Sequence, residues 1–213
     1  MKIMAISDIH GHLADVEKKW KSCEACVIAG DVIPQRTGYH DFDFAVEWWN
    51  TELKSFCEQH PHTQFLIVPG NAELFLDDEV CDLKKWSVPE VLMAENATLL
   101  KSGAANWMGL KIYAYPWTAA EKLCGGFVRH GCDLKSKAEE IPRGLDLLIL
   151  HSVHGMHKTI CRVKPIRVFY GHDHTKTPME EVKEGIRFMN VCVGDHESVY
   201  NDLYVTDILT RGV

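Results

Sequence analysis

The chain has 213 residues, of which 46% are hydrophobic and 25% are charged. This length and composition predict one ordinary globular domain over residues 1–213. The formal net charge of −7 provides no basic field that would attract nucleic acid or an anionic membrane, so we expect neither as a partner. No apolar run approaches the ~18 residues of a membrane span, and the apolar run before Ser7 is too short for a signal peptide. We therefore expect a cytoplasmic protein with reduced cysteines.

Short apolar runs alternate with helical patterns along the first half of the chain. The helical patterns cover residues 13–20, 41–60, 77–86 and 119–138, and the second of these ends at Pro61. Alternation of strands and helices predicts parallel βαβ units, and the surplus of strands in the second half predicts a second sheet. The segment 124–143 is expected as a surface excursion. The predicted strands are residues 2–6, 26–29, 65–68, 112–115, 147–150, 167–170, 187–193 and 203–209.

Polar residues follow five of these apolar runs directly. In an open α/β sheet, functional residues collect in the loops beyond the carboxyl ends of the strands. Five separate strand ends that deliver aspartate, histidine and asparagine are difficult to explain as packing. The five clusters are Asp8-Ile9-His10, Gly30-Asp31, Gly70-Asn71-Ala72-Glu73, His151, and Gly171-His172-Asp173-His174.

Imidazole and carboxylate groups suit ions such as Zn²⁺, Mn²⁺ and Fe. Two such ions ~3.5–4 Å apart can clamp the attacking and leaving oxygens of a phosphoryl displacement and acidify the water between them. Asp31 is the natural bridge between the ions, because it stands alone between the Asp-x-His pair and the asparagine and histidine that follow. The expected nucleophile is a hydroxide that bridges the two metals.

The order of the five clusters resembles the calcineurin-like metallophosphoesterases, whose motifs read DxH, GD, GN(H)E, a later His, and GHxH. The resemblance spans nearly the whole chain. It implies a four-layer α/β/β/α sandwich, in which helices flank two mixed β-sheets. It also implies a dinuclear site whose two ligand sets share one aspartate: Asp8, His10, Asp31 and His174 for one ion, and Asp31, Asn71, His151 and His172 for the other.

Local segments are most similar to the small metallophosphoesterase-domain-containing phosphodiesterases of the class III type. The stretches 47–50, 109–118 and 141–146 and Asn190 carry this similarity. The GDxVDRG motif of phosphoprotein phosphatases is absent, because residues 30–36 read GDVIPQR. Asn71 and two histidines, His12 and His154, are candidate substrate contacts. A solvent-exposed loop position for His154 and a helix-capping role for His12 remain as alternatives, and His157 is a further candidate near the pocket.

Ala72 stands where the resemblance implies a histidine that protonates the leaving group. An alanine side chain has no donor, and loss of a general acid costs ~10²–10⁴ in rate. Glu73, which would orient that histidine, is expected to lose its partner. Three explanations stay open: natural divergence, an engineered His-to-Ala trap, or a retired enzyme that only binds a ligand. In the first, the protein hydrolyses substrates with good leaving groups or recruits another donor (His12, His154 or His40).

These patterns together predict a metal-dependent phosphodiesterase of small substrates such as cyclic nucleotides, with activity weakened or altered at Ala72. The expected catalytic positions are Asp31, Ala72 and Glu73. The expected cofactors are two divalent ions from among Mn, Fe, Zn, Co and Ni, with Mn favoured. The alternatives are a phosphomonoesterase, a nuclease that uses a local basic patch (Arg129, Lys135, Lys137 and Arg143), or an impaired metal-binding or ligand-binding protein.

Overall fold

A computed structural model of the chain describes residues 1–34, 41–119, 125–174 and 180–208. None of the helices in these ranges combines the length and apolar character needed to cross a bilayer.

A π-helical turn, Trp49–Leu53, joins α2 to α3, and a 3-10 turn covers Leu74–Leu76. The helices are α1 Leu13–Lys18, α2 Phe42–Trp48, α3 Lys54–Gln59, α4 Asp78–Lys84, α5 Gly131–Glu139 and α6 His157–Val163. The strands are β1 Lys2–Ile6, β2 Ala25–Ala29, β3 Gln64–Val68, β4 Ala97–Leu99, β5 Gly103–Trp107, β6 Leu110–Tyr115, β7 Thr118–Ala119, β8 Val128–Arg129, β9 Leu147–Leu150, β10 Arg167–Tyr170, β11 Glu180–Lys183, β12 Ile186–Asn190 and β13 Tyr204–Asp207.

Two mixed sheets form the frame of the molecule. The first has the order β13-β1-β2-β3-β4, and β1 to β4 are parallel while β13 is antiparallel. The second has the order β11-β12-β10-β9-β6-β5, with four parallel strands inside and an antiparallel strand at each edge. Because parallel strands in one sheet end at the same edge, each sheet collects its strand-end loops on one side.

Three apolar clusters separate four layers. One lies between the first sheet and helices α1 to α3, where Val16, Trp49 and Phe56 are buried. The second lies between the two sheets and contains residues such as Val27 and Ile149. The third packs the second sheet against α5 and α6. Alternate residues of one strand therefore enter different clusters, which is why the strands are apolar throughout. The expected α/β/β/α sandwich is confirmed.

The two sheets are joined at the edge that carries the polar clusters. Ser7 donates its backbone N–H to the Val191 carbonyl at 3.0 Å, and Val193 donates to the Ser7 carbonyl at 3.0 Å. The segment 191–193 thus runs on from β12 and lies beside the end of β1. The strand-end loops of both sheets consequently meet in one place.

Several expectations about individual elements are wrong. The predicted helix 119–138 begins only at Gly131, because β7 and β8 pair with each other before it. The segment 124–143 is not a simple surface excursion in its described part, since Val128 and Arg129 are buried. The strand predicted over 187–193 ends at Asn190, beyond which the chain pairs with Ser7. The strands β4, β5 and β11 and helix α6 were not anticipated, since their short sequences lack a clear apolar period.

Candidate metal centre

The strand ends bring the predicted ligands into two clusters. The ligand atoms of Asp31, His151 and His172 lie within 4.8 Å of one another, and so do those of Asp8, His10 and Asp31. We call the set Asp31, Asn71, His151 and His172 the His151 cluster, and the set Asp8, His10, Asp31 and His174 the His10 cluster. The structure thus brings the predicted ligands together at one edge of the sheets, and their assignment to two ions stays a prediction.

The backbone bends sharply at these strand ends. Asp8, His10, Asp31 and His172 have φ values of 54°, 45°, 55° and 68°, in the left-handed region that non-glycine residues rarely adopt. Such positions cost on the order of 1–3 kcal/mol each and persist only where the surrounding structure enforces them. Four of them in one small volume point to a functional site.

Two glycines permit the close approach of the loops. A Cβ on Gly70 would collide with Oδ1 of Asp31 and come within 2.7 Å of Cε1 of His151. A Cβ on Gly171 would collide with Oδ2 of Asp8 and the Ser7 hydroxyl. The glycine before Asn71 and the glycine before His172 are thus required for the clusters to close.

The His151 cluster is held by hydrogen bonds on both sides of one imidazole. Nδ1 of His151 lies 2.9 Å from the Ala29 carbonyl, and Nε2 lies 3.0 Å from Oδ1 of Asn71 and 3.3 Å from Oδ1 of Asp31. The carbonyl accepts from Nδ1 and so directs Nε2 toward the cluster, which is the usual arrangement of a metal-binding histidine. The His172 ring centroid lies 5.1 Å from that of His151.

The His10 cluster contains Asp8 at its centre. Oδ1 of Asp8 lies 3.1 Å from Nε2 of His174, and the backbone N–H of His172 donates to both carboxylate oxygens at 3.0 and 3.2 Å. Nε2 of His10 lies 3.4 Å from Nε2 of His174. These contacts aim one carboxylate and two imidazoles at one point.

Asp31 faces both clusters, one with each oxygen. Its Oδ1 lies 3.3 Å from Nε2 of His151, and its Oδ2 lies 3.9 Å from Nε2 of His10. The backbone N–H of Ala72 donates to Oδ1 at 2.8 Å and fixes the rotation of the carboxylate. Asp31 is therefore the residue that the two clusters share.

The protonation states of His10, Asp31 and Asp8 suit metal binding. Burial lowers the pKa of His10 to about 4, although the charges of Asp31 and Asp8 oppose the shift, so this imidazole is neutral. Burial opposes ionisation of Asp31, but the charge and hydrogen bond of His151 outweigh it and lower the pKa of Asp31. Burial similarly opposes ionisation of Asp8, but the hydrogen bond to His174 and the charge of His151 lower the pKa of Asp8. Neutral imidazole and ionised carboxylate are the forms that bind metal, so these three residues fit a divalent ion as they stand. Burial lowers the pKa of His151, but the charge and hydrogen bond of Asp31 raise it to about 10, so His151 would release a proton to an incoming ion.

Glu73 has a structural task that the sequence did not indicate. It is fully buried, and its carboxylate accepts the backbone N–H groups of Asp31, Val32, Ile33 and Gly70 at 2.7–3.2 Å. The expectation that Glu73 loses its partner with the missing histidine is therefore wrong. Glu73 ties the Gly70 loop to the Asp31 loop and so holds the two halves of the His151 cluster together.

Ala72 is only 2% exposed. A stretch that was expected on the surface lies against its loop: the Gly126 N–H donates to the Asn71 carbonyl at 2.8 Å, and a Cβ on Gly126 would come within 2.7 Å of Cα of Leu74. The position is thus a packed one, and not an open gap in the cleft.

The remaining candidate histidines lie in different surroundings. His12 makes no side-chain capping bond to α1, and its Nε2 lies 3.3 Å from the His196 carbonyl. His154 is exposed and its ring centroid lies 6.5 Å from that of His172. His157 belongs to a separate cluster with Cys161 and Glu184. His40 lies outside the described residues.

Two of the four residues of the proposed basic patch, Arg129 and Lys137, are engaged in contacts within the protein. Arg129 is buried and donates two charge-assisted hydrogen bonds to Asp77, at 2.9 and 3.0 Å, and its Nε lies 3.0 Å from Oε2 of Glu79. Nζ of Lys137 lies 3.6 Å from Glu79 and 4.4 Å above the Trp117 ring. Both cations are already paired with carboxylates of α4 or of the residue before it. They therefore stabilise the segment after residue 125, and they do not form an unpaired basic surface for nucleic acid.

One histidine at the site was missed. His196 lies beside both histidines of the His10 cluster, with ring centroids 4.1 Å from His10 and 5.2 Å from His174. It follows no strand directly, and the strand-end rule therefore could not find it. The unassigned Gly-Asp-His at residues 194–196 was the available signal.

Comparison with known proteins agrees with this geometry. The model of the calcineurin-like phosphoesterase family matches residues 1–176. The chain belongs to the calcineurin-like phosphoesterases. A UPF0046 protein of Caenorhabditis elegans is 24% identical over 226 residues, which cover 92% of this chain and 76% of that protein.

Two solved structures are also similar to this phosphoesterase. A conserved uncharacterized protein of Streptococcus pneumoniae, described as a predicted phosphoesterase, has 12% identity and a TM-score of 0.40, and the match covers 97% of this chain and 83% of that one. GAP50 of Plasmodium, described as the anchor in the inner membrane complex, has 10% identity and a TM-score of 0.46, with 97% and 78% covered.

Proposed function

We propose that this protein is a dinuclear-metal-dependent phosphodiesterase that hydrolyses small phosphodiesters such as cyclic nucleotides. The observation that carries the proposal is Asp31, whose two oxygens face the two clusters separately. A carboxylate in this position can hold two ions a few ångströms apart, as phosphoryl transfer by two metals requires. When bound, the ions would supply the positive charge that acidifies water and neutralises the phosphoryl oxygens.

The protein's own residues would position the reaction. Asp8, Asp31 and Asn71 would orient the ions, and the hydrogen bond from the Ala72 N–H would keep the bridging carboxylate from rotating. Glu73 would keep the loops in register through its four accepted bonds. Fixed ligands of this kind lower the reorganisation needed during the reaction.

A cavity of about 630 Å³ between α5 and α6, which includes His154 but no residue of the two clusters in its lining, has room for a flat organic group of the substrate. Tyr115 and Trp117 provide aromatic walls, and Lys135 and Lys158 provide positive charge. His154 lines the cavity and reaches toward His172. The volume lies within the ~300–1,000 Å³ of ligand pockets and suits a nucleobase better than a bare phosphate.

Ala72 would weaken the reaction by removing a proton donor from the leaving-group side. His12 and His154 lie on opposite flanks of the centre, beside His196 and His172 respectively. Either could protonate a leaving alkoxide that reaches it. Substrates with acidic leaving groups need no such donor, so the proposal predicts a preference for them.

The test is turnover with chosen substrates. The metal-stripped protein is loaded with Mn²⁺ and assayed on bis(p-nitrophenyl) phosphate, p-nitrophenyl phosphate and the 2′,3′- and 3′,5′-cyclic nucleotides. We expect metal-dependent hydrolysis of the diesters, reduced to background by Asp31→Asn and unchanged by the exposed control Asp43→Asn. Faster hydrolysis of the monoester would establish a phosphomonoesterase instead. Bound metal with no turnover of any ester would leave a metal-binding protein and overturn the proposal.

A further inference from the structure

We infer that His196 is a fifth protein ligand of the metal ion in the His10 cluster. The inference rests on the proposed function only in assuming that the His10 cluster holds an ion. The ligand atoms of His10, His174 and His196 all lie within 4.8 Å of one another. Nε2 of His174 lies 3.1 Å from Asp8 and Nε2 of His10 lies 3.9 Å from Asp31, so the third imidazole lies within reach of an ion that these groups hold.

The loop that carries His196 is built to hold it there. Oδ1 of Asp195 accepts the backbone N–H groups of Glu197 and Ser198 at 2.8 and 3.0 Å, and Asp195 donates its own N–H to the Ser198 carbonyl at 3.0 Å. A Cβ on Gly194 would collide with that carbonyl oxygen. The turn is therefore tight, and its conformation is fixed by its own hydrogen bonds.

The turn is anchored at the metal centre on both sides. Before it, Val193 donates to the Ser7 carbonyl, one residue from Asp8. After it, Asn201 donates its side-chain N–H to the Cys192 carbonyl at 2.9 Å. At its tip, the His196 carbonyl lies 3.3 Å from Nε2 of His12. His196 is thus placed by three contacts that do not involve its own ring, and its ring nitrogens form no hydrogen bond to another of the described residues that would compete with an ion.

A fifth ligand changes the chemistry of the His10 cluster. With Asp8 and Asp31, the ion would have three imidazoles and two carboxylates, whereas the His151 cluster has two imidazoles, one amide and the shared carboxylate. Imidazole-rich sites favour Zn²⁺, Cu²⁺, Ni²⁺ and Fe over the ions preferred by carboxylate and water, such as Mn²⁺ and Mg²⁺. The two positions would therefore select different metals, and the His10 position would keep fewer sites for water.

The test measures metal binding without turnover. The full chain is stripped of metal and titrated with Co²⁺ by calorimetry, and the visible absorption of the bound Co²⁺ is recorded. We expect His196→Ala to weaken one of two binding steps by at least 10–100-fold, since even loss of a residue that supports a ligand costs that much. The Co²⁺ spectrum of that step should change as well. The exposed control His62→Ala should bind like the parent protein.

The outcomes separate this inference from the proposed function. If His196→Ala binds two Co²⁺ ions with parental affinities and spectrum, while His10→Ala loses one ion, the inference is overturned and the dinuclear site stands. If the parent protein binds fewer than two ions, the proposed function fails instead. A circular-dichroism melt of each variant distinguishes lost ligation from unfolding, because unfolding would abolish both binding steps together.

Discussion

Two histidines of the metal centre are almost equally buried and yet behave oppositely. His151 is 0% exposed and His10 is 3% exposed. Burial alone lowers the pKa of both. The charge and hydrogen bond of Asp31 overcome that effect at His151 and raise its pKa to about 10, whereas the pKa of His10 falls to about 4.

The difference arises from the partners of the two rings. His151 has a hydrogen-bond acceptor at each nitrogen: the Ala29 carbonyl on one side, and Asn71 and Asp31 on the other. His10 has Nε2 toward the cluster, while its buried Nδ1 has no hydrogen-bond partner among the described residues. An ion at the His151 cluster must therefore displace a proton from His151. The His10 ring is already neutral, so it can bind an ion without losing a proton. Equal burial thus says little about how a buried ligand titrates.

The largest effect on this difference between His151 and His10 is expected from a substitution that disrupts the packing around His151. In Gly70→Ala the new methyl group would press on Asp31 and His151 together. We expect the ion of the His151 cluster to be lost and the free energy of unfolding to fall by about 1–3 kcal/mol, the usual cost of overpacking. Metal content and chemical denaturation measure the two effects.

Gly131→Ala is the matched control for that substitution, because a Cβ there meets nothing within 4 Å and the residue lies in a helix. It should keep both ions and the parental stability. Two ions retained by Gly70→Ala at parental affinity would show that the close approach of these loops is not needed.

Metal affinity measured over a series of pH values tests the same difference between His151 and His10, with a smaller expected effect. Because the pKa of His151 is raised to about 10, the ring keeps its proton below that pH. Protons therefore compete with the metal ion for His151, and they compete more strongly as the pH falls. Affinity at the His151 cluster should rise about tenfold per unit from pH 6 to 8, since one proton leaves. His174 has a pKa raised by its hydrogen bond to Asp8, so the His10 cluster should respond in the same direction but less.

Calorimetry of Co²⁺ binding in buffers of different ionisation enthalpy measures these protons directly. The expected order is one ion bound at pH 6 and two at pH 8. If the two binding steps have the same pH dependence, the opposite titration of His10 and His151 has no influence on metal loading.

The smallest predicted effect concerns the proton donor beside the His151 cluster. In Ala72→His the rate on a diester with a poor leaving group should rise about tenfold or more, since a general acid contributes ~10²–10⁴ and the packed position limits the gain. Steady-state kinetics with Mn²⁺ measure it. Ala72→Leu controls for size, and an equal rate in both variants would contradict a proton-donor role at this position.

The sequence indicated where the candidate metal ligands lie, because each follows a strand that is apolar throughout. The runs at β1, β9 and β10 were predicted with the bounds that the structure has, since buried parallel strands leave little ambiguity in a short apolar run. A histidine or aspartate directly after such a strand can lie only at the sheet edge. The positions of Asp8, His151 and His172 were therefore determined locally.

Other parts of the site depended on contacts between distant segments. The stretch after residue 125 was predicted as a surface excursion, yet Phe127 donates its N–H to Asp77 at 2.5 Å and Arg129 forms an ion pair with the same carboxylate. Asp77 precedes Phe127 by fifty residues. A pairing at that distance leaves no periodic pattern in either segment.

The sequence by itself thus determined the fold class, the edge of the sheets where the polar loops collect, and which candidate ligands follow strands. Only the tertiary structure decided that Glu73 clamps two loops, that Ala72 is packed, and that His196 lies beside His10 and His174. The physical reason is the range of the interactions. Strand burial and turn chemistry act over a few neighbouring residues, whereas His196 reaches the His10 cluster because residues 191–193 pair with Ser7 at the far end of the chain.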